Sequence, residues 1–250
     1  MPANPRSSRS ATGASSSRPR IERIGHRGAP REITENTLPS FERAFDLGAD
    51  GVELDVHLTA DGTAVVHHDP DVPIQTRPRS VTRPIATMTW KELSRVEISP
   101  GLTIPTLEAV LALARDRGTV YVELKGKGVE QRALAVIRGS GARCAVHSFD
   151  HEAVKRSARL APEIPRGVLF DEYPRDVVGS MRDASARDVW PHWQLIDRTL
   201  VEQVHNAGGR VIAWTVNAAT AARELQDLGV DALCGDDLRL LEQWSADAAG

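Results

Sequence analysis

Strand-like runs alternate with segments of helical periodicity from Ile21 onward, and this alternation constrains the fold more than any other feature. It is typical of βα units wound around a parallel sheet. Eight runs are strand-like: residues 23–27, 51–58, 119–125, 144–148, 166–170, 188–193, 210–216 and 232–235. Apolar residues recur at helical spacing in residues 106–117, 129–138, 151–160, 198–206 and 218–228. The pattern predicts a (β/α)8 TIM barrel.

The second strand-like run is followed by a break in this alternation. The turn signal Asp61-Gly62 leads into a further β-like run, residues 64–68, which we expect to extend toward the barrel mouth. A short insertion, residues 69–104, follows it. A chain of 250 residues with 41% hydrophobic content suits a single barrel domain. We therefore predict an N-terminal tail over residues 1–20 and one domain over residues 21–250.

Composition separates the tail from the rest of the chain. Residues 1–20 are rich in Ser, Arg, Pro and Ala and contain no acidic residue, so we predict that they are disordered. Without the four tail arginines the chain has 27 basic and 34 acidic residues, a net charge of −7. This acidic body argues against nucleic-acid binding and favours a small-molecule partner.

The sequence also bears on location. It has no run of 18 apolar residues, and residues 1–20 lack the apolar core of a secretory signal. We therefore expect a cytoplasmic protein without stable membrane insertion. Cys144 and Cys234 lie in apolar segments without metal-type spacing, so they are expected to be reduced residues of the core.

Two carboxylates share one face of the second strand-like run. Strand side chains alternate, so Glu53 and Asp55 point to one side and their apolar neighbours to the other. One interpretation is an amphipathic strand with its acids in water. A barrel gives another, because inward side chains converge at the carboxyl ends of its strands. Glu123, in the third run, would then point toward the same place.

Carboxylates at close range repel unless they are protonated or share a cation. Oxygen ligands without thiolates favour a hard ion, so we predict one divalent cation, Mg²⁺ or Ca²⁺, on Glu53, Asp55 and Glu123. The alternative is a cluster neutralised by ion pairs with Arg27 and Lys125, which are the last residues of the first and third runs.

His26 and His68 lie at two strand ends beside these acids and are the predicted proton carriers, because imidazole titrates near neutral pH. Arg27 can bind phosphate oxygens through its guanidinium fork. Together they indicate a site that cleaves phosphodiesters. Four further histidines give weaker signals and stay outside this assignment: His57, His67, His147 and His192.

The chain resembles the glycerophosphodiester phosphodiesterases. Six blocks carry the resemblance: GHRGAPREITENTLPSF (25–41), GADGVELDVHLTADGTAVVHHDP (48–70), IPTLEAVL (104–111), VELK (122–125), HSFD (147–150) and WTVN (214–217). Their order and spacing span nearly the whole chain after residue 20. The combination of His-Arg-Gly, Glu-x-Asp and His-Asp blocks is highly specific.

This resemblance implies metal-dependent hydrolysis of glycerophosphodiesters to glycerol 3-phosphate and an alcohol, a step of lipid and glycerol metabolism. It implies catalytic His26 and His68, with Arg27 and Lys125 near the phosphate. Trp214 looks like the family's pocket-lining tryptophan, and core packing is its alternative role. The attacking oxygen is either a glycerol hydroxyl of the substrate or water.

Two blocks depart from the family pattern. Residues 72–76 read Val-Pro-Ile-Gln-Thr where the family often has Leu-Asp-Arg-Thr-Thr, so an arginine is missing. Residues 235–238 read Gly-Asp-Asp-Leu, which keeps an aspartate and loses its usual neighbours. Two other functions stay open: a phospholipase D of the sphingomyelinase type, and a non-catalytic barrel that binds phosphorylated ligands. The former needs an amphipathic membrane-binding stretch, and none is evident in the sequence.

Overall fold

The computed structural model describes residues 20–75 and 80–240. Apart from Arg20, the predicted N-terminal tail lies outside the described residues, so its disorder stays a prediction. Residues 76–79 and 241–250 of the predicted domain also lie outside them.

Thirteen strands are assigned in the described residues. In chain order they are β1 (Glu22–Gly25), β2 (Gly51–Leu58), β3 (Ala64–Val66), β4 (Asp71–Gln75), β5 (Ser80–Pro84), β6 (Glu97–Ser99), β7 (Leu102–Thr103), β8 (Thr119–Leu124), β9 (Cys144–Ser148), β10 (Arg166–Phe170), β11 (Asp188–Pro191), β12 (Arg210–Ala213) and β13 (Ala232–Gly235). Eight of them, β1, β2 and β8 to β13, pair in parallel, and β1 pairs with both β13 and β2 to close the sheet. The predicted TIM barrel is confirmed.

Eight α-helices that lie wholly within the described residues accompany these strands. They are α1 (Leu38–Asp46), α2 (Trp90–Leu93), α3 (Leu107–Ala114), α4 (Val129–Ser140), α5 (His151–Leu160), α6 (Val177–Asp183), α7 (Arg198–Asn206) and α8 (Ala219–Leu228). All but α2 connect successive barrel strands. Six begin at a Thr or Asp whose side chain accepts a backbone N–H, which fixes where the helix starts: Thr37, Thr89, Thr106, Asp150, Asp176 and Asp197.

Strand alternation divides the core into two layers. The outward residues of β2, Val52, Leu54 and Val56, are fully buried against the helices, as predicted. A second cluster fills the barrel interior: Ile24, Tyr121, Ala145, Leu169, Trp190, Ile212, Ala232 and Cys234. Because this cluster plugs the interior, polar inward residues nearer the strand ends form the floor of a site at the carboxyl end.

The insertion is built from short hairpins. β3 returns antiparallel to β2, with Val66 opposite Val56, so residues 64–66 extend the second strand as a hairpin. Two further hairpins, β4–β5 and β6–β7, follow. They enclose a small core of their own: Val65, Val72, Ile85, Met88, Leu93 and Ile104. This core attaches the insertion to the rim of the barrel.

Several strands end earlier than predicted. β1 ends at Gly25, β8 at Leu124 and β12 at Ala213, so His26, Arg27, Lys125 and Trp214 follow their strands rather than belonging to them. The chain leaves the hydrogen-bonded ladder there. Side chains beyond a strand end are free to turn toward the barrel axis.

Both cysteines are free, as expected. Cys234 is buried, and burial raises the pKa of the half-buried Cys144 thiol to about 12. Across the described residues no helix combines the length and apolar character that a membrane crossing requires.

Candidate active site

The His-Arg-Gly turn after β1 places His26 and Arg27 in the barrel mouth. Gly28 has φ +97°, and a Cβ there would collide with Ser40, so only glycine fits. Arg27 also lies in the left-handed region, at φ 55°. This conformation lets the Arg27 backbone N–H donate to Glu53 Oε2 over 3.2 Å. The Arg27 guanidinium donates to Glu35 Oε1 at 2.9 Å.

Asp55 lies in a cationic environment. It is 1% exposed, and its Oδ1 lies 3.0 Å from Lys125 Nζ. Its Oδ2 accepts from Asn36 Nδ2 at 2.9 Å and lies 3.4 Å from Arg27 Nε. Burial acts to raise the pKa of Asp55, but the charges of Lys125 and Arg27 outweigh it and hold the pKa below its usual value. Asp55 is therefore an anion in the folded protein.

Glu53, Glu123 and His147 form the second half of the site. Each offers one ligand atom, and these atoms all lie within 4.8 Å of one another. Burial, together with the charges of Asp55 and Glu53, raises the pKa of Glu123 to about 8, although Lys125, whose Nζ lies 4.0 Å from Glu123 Oε1, acts to lower it. Two carboxylates and an imidazole at this spacing are a donor set that fits a divalent cation. The set includes two of the three predicted ligands, and Asp55 is not a member.

His147 was left outside the predicted site, yet it is 1% exposed and its Nε2 lies 3.8 Å from Glu53 Oε1. Its ring stacks on Trp190 at a centroid distance of 4.3 Å. The register explains its position, because Asp55 lies opposite Glu123 on β8, and Glu123 lies opposite His147 on β9. A signal was present in the sequence, since Ala145 and His147 share one face of β9.

His26 contacts acids through both ring nitrogens. Its Nδ1 lies 2.7 Å from Asp236 Oδ1, and its Nε2 lies 4.0 Å from Glu53 Oε2. Burial acts to lower the pKa of His26, but the hydrogen bond to Asp236 and the charge of Glu53 raise it above the usual value. Asp236 follows β13 and was not among the predicted site residues.

His68 approaches the site from the segment between β3 and β4. Its Nδ1 lies 2.8 Å from Asp69 Oδ1, and its side chain is 36% exposed, against 16% for His26. Its backbone carbonyl accepts from Lys125 Nζ at 3.3 Å and lies 3.2 Å from His57 Nε2. Lys125 thus connects the His68 backbone to the Asp55 carboxylate.

Trp214 belongs to an aromatic cluster where β9, β11 and β12 end. Its indole N–H donates to the Trp190 carbonyl at 2.9 Å. Phe149 and His192 pack edge-on against it at centroid distances of 5.5 and 5.7 Å. Trp214 is half-buried and Phe149 is 42% exposed, so the cluster packs on the core and presents an apolar surface to solvent.

The raised pKa of Glu123 predicts a pH-dependent cost to the metal-free protein. Unfolding restores its ordinary pKa near 4.5, so the folded state loses stability as pH rises from there to about 8. In chelator at pH 8 we expect Glu123→Gln to raise the Tm by a few degrees, since about 1 kcal/mol corresponds to about 2–4 °C at this size. Thermal melts between pH 5 and 9 measure it.

The control for this prediction is Glu108→Gln, an exposed glutamate on α3, which should leave the melting curve unchanged. Added Mg²⁺ or Ca²⁺ should reverse the order, because only the wild type keeps its full set of ligands. A Glu123→Gln protein that melts below the wild type in chelator would contradict the predicted cost of ionising Glu123 in the folded protein.

Comparison with known proteins agrees with this geometry. The sequence profile of the glycerophosphoryl diester phosphodiesterase family matches residues 26–240. The chain belongs to this family. The match begins at His26 and so includes both histidines and all three predicted carboxylates. The predicted glycerophosphodiester phosphodiesterase is confirmed.

Individual members of the glycerophosphoryl diester phosphodiesterase family align along nearly their whole length. A glycerophosphodiester phosphodiesterase of Caldanaerobacter subterraneus subsp. tengcongensis is 30% identical over 86% of this chain and 93% of its own. A phosphodiesterase of Oleispira antarctica, solved with its product sn-glycerol-3-phosphate, has a TM-score of 0.81 and 26% identity, covering 90% of this chain and 96% of its own. The Agrobacterium tumefaciens enzyme has a TM-score of 0.78 and 26% identity over 92% and 100% of the two chains.

Proposed function

We propose that this protein hydrolyses glycerophosphodiesters to glycerol 3-phosphate and an alcohol, using a divalent cation and two histidines. The observation that carries the proposal is a pair of histidines, each hydrogen-bonded to an aspartate, beside a buried group of carboxylates. Membership of the family supports the reaction, and the Oleispira antarctica relative holds one of its products.

Glu53, Asp55 and Glu123 are the proposed protein ligands of one Mg²⁺ or Ca²⁺. The spacing of Glu53 and Glu123 supports this assignment, and His147 is a further donor within reach of both. The ion, when bound, would act as a Lewis acid that offsets charge on the phosphoryl oxygens. Asp55 serves a second purpose, because it orders Lys125 and Arg27 at the edge of the group.

Arg27 and Lys125 are the proposed phosphate-binding cations. Both side chains are about one-fifth exposed, so their charges act in a partly desolvated site where attraction to an anion is strong. Their positive charge also explains how a protein with an acidic body attracts an anionic substrate locally. Trp214 is the proposed apolar contact for the substrate.

His26 and His68 are the proposed general acid and base. In either order, one ring accepts a proton from the attacking oxygen, that of a glycerol hydroxyl or of water, and the other donates a proton to the departing alkoxide oxygen. The aspartate on each Nδ1 leaves each Nε2 available for the transfer.

Product analysis with purified protein tests the proposal. We expect release of glycerol 3-phosphate and free alcohol from soluble diesters such as glycerophosphocholine and glycerophosphoethanolamine, measured with Mg²⁺ and with Ca²⁺. The His26→Ala/His68→Ala protein is the matched control for a contaminating activity. Turnover of sphingomyelin bilayers alone would indicate the phospholipase D, and ligand binding without any product would indicate the non-catalytic barrel.

A further inference from the structure

A chain of hydrogen bonds leads away from His26 across the last two barrel strands. Asp236 follows β13, and its Oδ1 lies 2.7 Å from His26 Nδ1. Its Oδ2 accepts from Asn217 Nδ2 at 2.6 Å. The Asp236 backbone N–H in turn donates to Asn217 Oδ1 at 2.9 Å. Asn217 and Asp236 therefore hold each other through two hydrogen bonds.

The direction of these hydrogen bonds is fixed by the Asp236 backbone N–H, a group that can only donate. The Asp236 backbone N–H requires Asn217 to present its oxygen there, so the Asn217 amide nitrogen faces the carboxylate. Both Asp236 oxygens are then acceptors, and the proton of the neutral His26 ring lies on Nδ1. Nε2 then carries the lone pair, and it lies 4.0 Å from Glu53 Oε2.

We infer that Asp236 and Asn217 are positioning residues that set the tautomer and orientation of His26, so that Nε2 is presented to the substrate. This inference rests on the proposed catalytic role of His26. The corresponding pair of His68 and Asp69 is more exposed to solvent, because the Asp69 side chain is 69% exposed and that of Asp236 is 25% exposed. Water screens the exposed pair more.

Asp236→Asn is the first test, because Asn217 determines which way the new amide turns. The Asn217 amide nitrogen donates, so it selects the oxygen of the new side chain and leaves the –NH₂ group facing His26 Nδ1. The proton of the ring moves to Nε2, which is the wrong tautomer for accepting a proton at that atom. We expect kcat to fall at least about 10²-fold. KM should change less than about threefold.

Exchanging the two residues is the second test. In the Asn217→Asp/Asp236→Asn protein, the carboxylate at position 217 accepts both the backbone N–H and the new amide –NH₂. The amide oxygen then faces His26 Nδ1 and restores the original tautomer. We expect kcat of the exchanged protein to be at least about tenfold higher than kcat of Asp236→Asn, because the hydrogen-bond direction is restored. Asn217→Asp alone sets two carboxylates against each other and should lose activity.

Asp231→Asn is the matched control. Asp231 precedes β13 and pairs with the exposed His205 at 2.9 Å, so it is another His–Asp pair at the opposite end of the same strand. Its substitution should leave kcat unchanged.

The ¹⁵N shifts of the His26 ring, recorded where the ring is neutral, report the tautomer directly. They should show Nδ1–H in the wild type and the exchanged protein, and Nε2–H in Asp236→Asn. An unchanged tautomer, an unchanged kcat, or equal losses in the single and exchanged proteins would overturn the inference. A wild type with the Nδ1–H tautomer but no diester turnover would instead contradict the proposed function.

Discussion

Replacing His26 or His68 with Ala is expected to lower kcat by at least about 10²-fold, which is the usual effect of losing a general acid or base. Neither residue belongs to the group formed by Glu53, Glu123 and His147, so cation affinity should barely change in either variant. Steady-state kinetics on a choline or ethanolamine diester, combined with calorimetric metal titration, separates the two effects. His205→Ala is the control, because His205 is exposed and pairs only with Asp231 in the described residues.

The nature of the leaving group then tells the two histidines apart. The p-nitrophenolate group of a p-nitrophenyl diester departs without protonation. Such a diester should therefore restore turnover in the variant that lacks the acid and not in the variant that lacks the base. Near-normal rates of both alanine variants on natural diesters would show that these histidines are structural.

Treatment with EDTA is expected to abolish activity, and Mg²⁺ or Ca²⁺ to restore it. Without a cation, burial and the neighbouring acids keep Glu123 protonated up to about pH 8, so the group cannot assemble its full negative charge. The measurement is turnover after dialysis against chelator, with metal content determined on the same sample. Readdition of each ion over a range of concentrations gives its apparent affinity.

Substitutions in the carboxylate group sharpen the metal prediction. Glu53→Gln and Asp55→Asn should shift the dependence on metal to higher concentrations, so that excess Mg²⁺ or Ca²⁺ recovers part of the activity. His147→Asn shows whether the imidazole is also a ligand. Full activity in chelator, at a metal content of zero, would refute metal dependence.

Strand periodicity was enough to predict which side chains point inward. Glu53, Asp55 and Glu123 were placed on the inner face because their strands are continuous and their apolar neighbours must pack against helices. That argument needs only local information. With the barrel already predicted from the alternation of strand-like and helical segments, it predicted the end of the barrel that carries the site and three of the acids that converge there.

Contacts that depend on register between strands were harder to predict. His147 reaches Glu53 because β9 pairs with β8 in one particular alignment, and Asp236 reaches His26 because β13 pairs with β1. A single sequence contains no direct statement of either alignment. The contact of Asn36 with the site was missed for a related reason. Its hydrogen bond to Asp55 depends on a left-handed backbone conformation at Asn36 itself.

Closure of the barrel joins its first and last strands at a proposed catalytic residue, His26. His26 and Asp236 are 210 positions apart in sequence, and they meet only where Gly25 of β1 aligns with Gly235 of β13. A contact of such sequence separation forms late in folding, because the entropy of closing a long loop opposes it. A nascent or partly folded chain would therefore present its acids and both histidines without an oriented His26, and hydrolysis would begin only once the last strand has docked against the first.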